Sequence, residues 1–366
     1  MNTRDTVRIS NEKWCVLTIQ RGFLRLAGLC FCLFWVLACA PKATETEDAK
    51  PPVTVGYQGI INPWKVAIQN KAFTEATGRT INWRKFSSGS EVISAMASGD
   101  VQLAVAGSSP IATAMSRGLD VELVWIMEAI QDNEALVARE GSGIQSLQDL
   151  KGKTIGVPFA STTHYHLLFA LEDAQIPTSE VKLLNLQPDA IAASWAQDRI
   201  DAAFVWSPVL DQLKASGNVI LTSGELAAKG RPTFDGLIAQ QNFAQNNADF
   251  MKTFLAVIAE QDKAYREAPE SWSVDSEPVK AISQFMGAPA ENVVSVLKLY
   301  GFPSLEEQVS STWLGGDASQ GVPKALAETA VFLKAQQSIS DVLPDYSGLV
   351  NPSYAQAALQ AVSQTP

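Results

Sequence analysis

The chain has 366 residues, 46% of them hydrophobic and 18% charged, with a net charge of −10. An acidic balance disfavours nucleic acid as a partner, and this length suffices for two lobes with separate cores. All four cysteines lie at or before position 39, and the chain carries only two histidines. Thiol catalysis, disulfides and Cys-ligated metal are therefore excluded from the remainder, and no metal or cofactor is expected.

Arg4, Arg8, Lys13, Arg21 and Arg25 precede an apolar run from Leu26 to Ala38. That length suits the h-region of an export signal and is short for a membrane span. Residues 1–38 thus read as a signal peptide. Val36-Leu37-Ala38-Cys39 resembles a bacterial lipobox, which makes Cys39 the first mature residue and the point of lipidation. The alternative is cleavage by the ordinary signal peptidase, leaving a soluble protein. The leader takes five basic and two acidic residues with it, so the mature net charge moves from −10 to −13. Residues 39–52 are polar, acidic and bounded by prolines, the composition of a flexible tether. The folded part starts near Val53.

From there strands and helices alternate. Strands are expected at 53–57, 80–85 and 101–105, with helices at about 63–77, 89–97 and from 109. A second set comes after it: strands at 154–157, 181–186 and 201–205, helices at 162–174, 189–197 and from 207. The two sets are a faint internal repeat. Thr54-Val55-Gly56 recurs as Thr154-Ile155-Gly156, and Ser98-Gly99-Asp100-Val101-Gln102 recurs near Gln197-Asp198-Arg199-Ile200-Asp201, both about one hundred residues on. Duplicated alternation implies an α/β protein with two lobes. Beyond residue 240, amphipathic patterns such as Phe250 to Tyr265 and Pro323 to Gln336 predict helices.

In open α/β sheets ligands lie beyond the carboxyl ends of the strands, where helices begin. Polar loops stand at those ends in both copies: Gly107-Ser108-Ser109-Pro110, Ser161-Thr162-Thr163 and Trp206-Ser207-Pro208. The first backbone N–H groups of a helix lack intrahelical partners and carry partial positive charge, so two such starts in different lobes can hold an anion without Lys or Arg. Taken singly, each is equally an ordinary N-cap.

The segments Val55-Gly56-Tyr57-Gln58, Trp83-Arg84-Lys85-Phe86, Gly107-Ser108-Ser109-Pro110, Asn133-Glu134-Ala135-Leu136-Val137, Ser161 to Tyr165, Asn185-Leu186-Gln187-Pro188 and Val205-Trp206 resemble the taurine-binding family of bacterial ABC importers. The similarity runs from about Val53 to beyond Leu343. The wider group holds aliphatic sulfonate, nitrate and thiamine-precursor binding proteins. The chain departs from the taurine pattern at Gly59 to Trp64, in a loop bordering the cleft.

The resemblance implies a two-lobed α/β periplasmic-binding-protein fold of type II. Its lobes would comprise 53–138 with 236–366, and 139–235, with crossings near Ala138 and Asp235 forming a hinge. It implies capture of taurine or a similar small sulfonate and delivery to an ABC permease and its ATPase. The protein would be monomeric and periplasmic or cell-surface, held to the membrane only through lipid at Cys39. For such a ligand, Ser108, Ser109, Thr162 and Thr163 supply neutral donors to the sulfonate, with Gln58 or His164 adding one more. Glu134 and Asp235, at the crossings, meet the ammonium, and Trp206 offers an aromatic face.

Other classes find little support. His164 and His166 are spaced i, i+2 and point to different helix faces, poor geometry for one metal. No phosphate-binding Gly loop or nucleophile elbow is present. A fungal pyrimidine-synthesising enzyme has a related fold but depends on a Cys-rich motif that this chain lacks. A sensing ectodomain would need a second membrane span or a cytoplasmic module, and neither is seen.

Overall fold

The computed structural model describes residues 50–363; the leader, Cys39 and most of the tether lie outside the described residues. Eleven strands occur among them: β1 (Val53–Gln58), β2 (Ile81–Phe86), β3 (Leu103–Gly107), β4 (Val121–Ile130), β5 (Glu134–Arg139), β6 (Thr154–Val157), β7 (Lys182–Asn185), β8 (Ala202–Trp206), β9 (Gly217–Thr222), β10 (Thr233–Gln240) and β11 (Tyr300–Gly301). They form two sheets, ordered β11-β4-β10-β3-β1-β2 and β7-β6-β8-β5-β9.

The repeat is visible in this order. β2, β1 and β3 run parallel in one lobe, and β7, β6 and β8 run parallel in the other. Each trio is then extended by an antiparallel strand delivered from elsewhere in the chain: β10 beside β3, and β5 beside β8. Beyond them β4 and β9 pair antiparallel to β10 and β5. The second sheet is thus built from the continuous stretch β5 to β9, whereas the first takes β1 to β4 and then β10 and β11 after the chain returns.

The crossings fall at residues 131–133 and 229–232, several residues before Ala138 and Asp235, because pairing rather than composition sets them. β5 pairs with β8 along its length from Glu134 onward, so Ala138 lies inside the second sheet. Asp235 pairs with Gly107 of β3 and belongs to the first. Most other elements agree with the expected spans to within about two residues. The helix expected over 63–77 is instead two, Lys65–Gln69 and Ala72–Thr77, because Lys71 takes a left-handed conformation at φ 61° that no continuous helix permits. The helix expected from 207 begins at Val209.

The central strands β3 and β8 are buried along their whole length on both faces, which explains their near-continuous apolar runs, whereas the edge strands β2, β7 and β9 are partly exposed. Val55, Leu103, Leu123 and Ile238 pack with Phe254 in the first lobe; Leu136, Ile155, Phe204 and Leu221 pack in the second. The carboxyl-terminal helices close around the first lobe. Helix Ala248–Glu267 lies against Ala72–Thr77 and Ser353–Ser363, and Gly321–Ala335 lies against Ser108–Ser116.

The repeated glycines have a packing cause. A Cβ on Gly56 would come within 2.3 Å of Val92 Cγ2, on the helix that covers β1, and one on Gly156 within 3.1 Å of Ile200 Cδ1. Close approach of strand and helix requires glycine at the first and is tight at the second. Gly56→Ala should therefore destabilise the protein by about 1–3 kcal/mol through overpacking. A denaturant titration checks this; an unchanged midpoint would mean that the covering helix shifts without cost.

Candidate functional site

Three helix N-termini converge where the lobes meet. Helix Gly89–Ala97 and helix Ser108–Ser116 come from the first lobe, and helix Thr162–Asp173 from the second. The last is capped by Ser161, whose hydroxyl accepts from the backbone N–H of His164 at 3.1 Å. Between them lies a cavity of about 20 Å³ open to the centres of water molecules, lined by residues that include Gln58, Gly107, Glu134, Thr162, Trp206 and Asp235. The lobes are drawn close here. A Cβ on Gly107 would meet Thr162 Cγ2 at 2.8 Å and Asp235 Oδ1 at 3.4 Å, so glycine is required for this approach. Trp206 also borders a larger neighbouring groove of about 410 Å³, whose walls include Arg84, Lys85 and Asp189.

Strand register explains the grouping. Asp235 pairs with Gly107 on one side and with Glu128 on the other, and Glu134 pairs with Trp206. Both acids are buried. The Thr162 hydroxyl donates to Glu134 Oε1, and Ser223 Oγ lies 3.0 Å from Glu134 Oε2. Burial pushes the Glu134 carboxyl up to about 8, with the two hydroxyls opposing and the charge of Asp235 reinforcing. Burial likewise raises Asp235 to about 7, against a hydrogen bond with Glu128 and the attraction of Lys65.

Of the expected residues, Gln58, Glu134, Thr162, Trp206 and Asp235 line one pocket, while Ser108, Ser109, Thr163 and His164 stand behind it. Ser108 Oγ and Ser109 Oγ are buried with no hydrogen-bond partner. The Thr163 hydroxyl is 2.7 Å from Ser161 Oγ. The His164 ring stacks on Phe159, with centroids 4.5 Å apart, and its Nδ1 accepts from the backbone N–H of Ala160 at 3.3 Å. Burial lowers its pKa to about 4, so it stays neutral. Gln58 spends its amide on the carbonyl of Val105 at 3.3 Å.

Sequence reasoning missed Tyr300, which lines the pocket and whose hydroxyl accepts from the Asn133 amide. It also missed the polar floor beneath Asp235. Glu128 is fully buried, and the Asn62 amide lies 3.2 Å from both of its oxygens. Buried Lys65 sits over the Trp64 ring at 3.6 Å. Burial drives the Lys65 pKa well below its ordinary value and that of Glu128 well above.

Carboxyls from opposite lobes and the starts of three helices thus line one small pocket, which brings groups suited to a cation and groups suited to an anion together. A family model described as NMT1/THI5 like matches residues 69–271. The chain belongs to this family. It is 36% identical over 304 residues to the taurine-binding periplasmic protein of Escherichia coli K12, covering 83% of this chain and 92% of that protein. It is 25% identical over 278 residues to a putative aliphatic sulfonates-binding protein of the same strain, covering 75% and 82%. Among solved structures, the alkanesulfonate-binding protein SsuA from Xanthomonas axonopodis pv. citri, bound to MOPS, matches with a TM-score of 0.64 at 21% identity, over 78% of this chain and 93% of that one. The two-lobed α/β architecture is thus the periplasmic-binding-protein fold.

The raised carboxyls make the unliganded domain sensitive to pH. Between their ordinary and folded pKa values the folded protein holds protons that the unfolded chain has released, so stability falls as pH rises. His164 and His166, both lowered to about 4 by burial, are neutral in the folded protein and mostly neutral in the unfolded chain above about pH 6.5. Thermal unfolding midpoints should therefore fall from about pH 6.5 to 8, the window set by Asp235 at about 7 and Glu134 at about 8. Glu134→Gln should flatten that slope; an unchanged slope would assign it to other groups.

Proposed function

We propose that this protein is the extracytoplasmic solute-binding component of an ABC importer and that its ligand is taurine. It binds and delivers rather than catalyses. The observation that carries the reading is that Glu134 and Asp235, one from each lobe, line one pocket together with the starts of three helices. A sulfonate is a permanent anion with three acceptor oxygens, matched by the backbone N–H groups at the starts of the helices that open at Gly89, Ser108 and Thr162. The ammonium then lies between Glu134 and Asp235, against the face of Trp206. The taurine-binding relative at 36% identity supports the same ligand. Closure about the crossings at 131–133 and 229–232 buries the ligand and changes the surface offered to a permease, which a partner ATPase drives.

The acids separate taurine from general sulfonate capture. Breaking a buried charge pair by removing one partner costs about 3 to 5 kcal/mol, part of which protonation of the acids recovers, so ethanesulfonate should bind about ten- to a hundredfold more weakly than taurine. Asp235→Asn or Glu134→Gln should lose taurine affinity and narrow that gap. Calorimetric titration with both ligands checks this. Equal affinities in the wild type, with parallel losses in the variants, would favour an alkanesulfonate receptor.

Lipid attachment at Cys39 would keep the protein at the membrane, with residues 39–52 as the tether. Cys39→Ala should then move the protein from the membrane to the soluble fraction with taurine binding intact. A wild type that is already soluble would rule out the anchor.

A further inference from the structure

Behind Glu134 a chain of hydrogen bonds leads out of the pocket to the second lobe crossing. Glu134 Oε2 lies 3.0 Å from Ser223 Oγ, Ser223 Oγ lies 2.7 Å from His166 Nδ1, and His166 Nε2 lies 2.8 Å from the backbone carbonyl oxygen of Arg231. Every side chain in it is buried: His166 and Ser223 are fully enclosed and Glu134 is 3% exposed. Neither Ser223 nor His166 lines the pocket.

Counting protons along this chain restricts its states. The Arg231 carbonyl can only accept, so His166 Nε2 must carry a proton. Ser223 has one hydroxyl proton and two neighbours. If that proton points to Glu134, the lone pair of a neutral His166 Nδ1 faces the lone pairs of Ser223 at 2.7 Å. Two arrangements satisfy every contact. In one, Glu134 is protonated and donates to Ser223, which donates to neutral His166. In the other, Glu134 is ionised, Ser223 donates to it, and His166 is an imidazolium donating from both nitrogens. The Thr162 hydroxyl donates to Glu134 Oε1 in either. The two arrangements differ by one proton moved across Ser223.

We propose that Ser223 and His166 are positioning residues that set the charge of Glu134 by exchanging this proton with it when a ligand bearing an ammonium arrives. The inference rests on the proposed function for the ammonium. The ligand cation favours ionised Glu134. Its O–H bond breaks, the proton passes to Ser223 Oγ, and Ser223 gives its own proton to His166 Nδ1. Atoms and charge balance within the protein. The groups facing this path are Asp235 and Tyr300, both on the pocket side of Glu134, and the Arg231 backbone beyond His166. The rings of Tyr165 and Phe204 flank the imidazole, with centroids 5.4 and 6.3 Å away. Without ligand, burial holds both groups neutral, Glu134 up at about 8 and His166 down at about 4. The hinge feels the transfer. Charging His166 strengthens its hydrogen bond to Arg231, in the crossing at 229–232, so an occupied pocket stiffens the segment about which the lobes turn.

With two histidines in the chain, nitrogen-15 spectra of the imidazoles at pH 7 report His166 directly, and His164, outside the path, is an internal control. Ligand-free protein should show neutral His166 with its proton on Nε2. Saturating taurine should convert it to the imidazolium while His164 stays neutral. In Ser223→Ala, His166 should remain neutral with taurine bound, and calorimetry in buffers of different ionisation enthalpy should show about one more proton released per taurine than in wild type. Glu134→Gln should also keep His166 neutral. An Nδ1-protonated tautomer in the ligand-free protein overturns the inference whatever the ligand proves to be. So does a neutral His166 when the same titration shows taurine bound, and that result leaves the proposed function standing. Absence of any taurine heat, with the Nε2 tautomer present, counts instead against the function.

Discussion

Closing a cleft over carboxyl groups is the constraint on which the rest depends. Glu134 enters the pocket from one lobe and Asp235 from the other, and both are out of water. Desolvating a carboxylate costs several kcal/mol unless a cation or a proton compensates it. The pocket therefore has two stable conditions, protonated and empty or ionised and filled. The raised pKa values of both groups express the first, and the ammonium of the proposed ligand supplies the second. On the proposed reading the helix N-termini would do the corresponding work for the anion without any titratable group, so the two carboxyls would carry the selectivity by charge.

The two crossings place these acids beside the junction of the lobes. Glu134 begins β5 immediately after the crossing at 131–133, and Asp235 lies near the start of β10 after the crossing at 229–232. Asp235 is fixed in a central strand by pairing on both sides, and Glu134 by pairing with Trp206. The short links between strands absorb the change, as hinge residues do in proteins that close by rigid rotation.

Much of this was legible because local physics repeats. The β-branched runs Thr54-Val55-Gly56 and Thr154-Ile155-Gly156 announced equivalent strands, and Ser161 before an apolar run announced a helix start that the structure caps as expected. Distance was less legible. A helix start is written in the order of residues, but whether a residue there lines the pocket, as Thr162 does, or is buried with an unpartnered hydroxyl, as Ser108 and Ser109 are, depends on what packs beside it. Tyr300 reaches the pocket from a two-residue strand docked beside β4, and nothing in its neighbours signals that. Glu128 did carry a signal: an acid inside the run V-E-L-V-W-I-M-E-A-I marks a buried charge that must find partners. The exact limits of the crossings were not legible, because they are set by pairing between segments far apart in the chain.

Trp206 stands between the small pocket and a groove some twentyfold larger, of about 20 and 410 Å³. Trp206 is the lining residue that the two have in common, at the end of β8. On the proposed reading, its bulk would set the limit on ligand length apart from the helix starts that would hold the headgroup. A single codon change there would then admit a longer or bulkier tail without rebuilding either sheet.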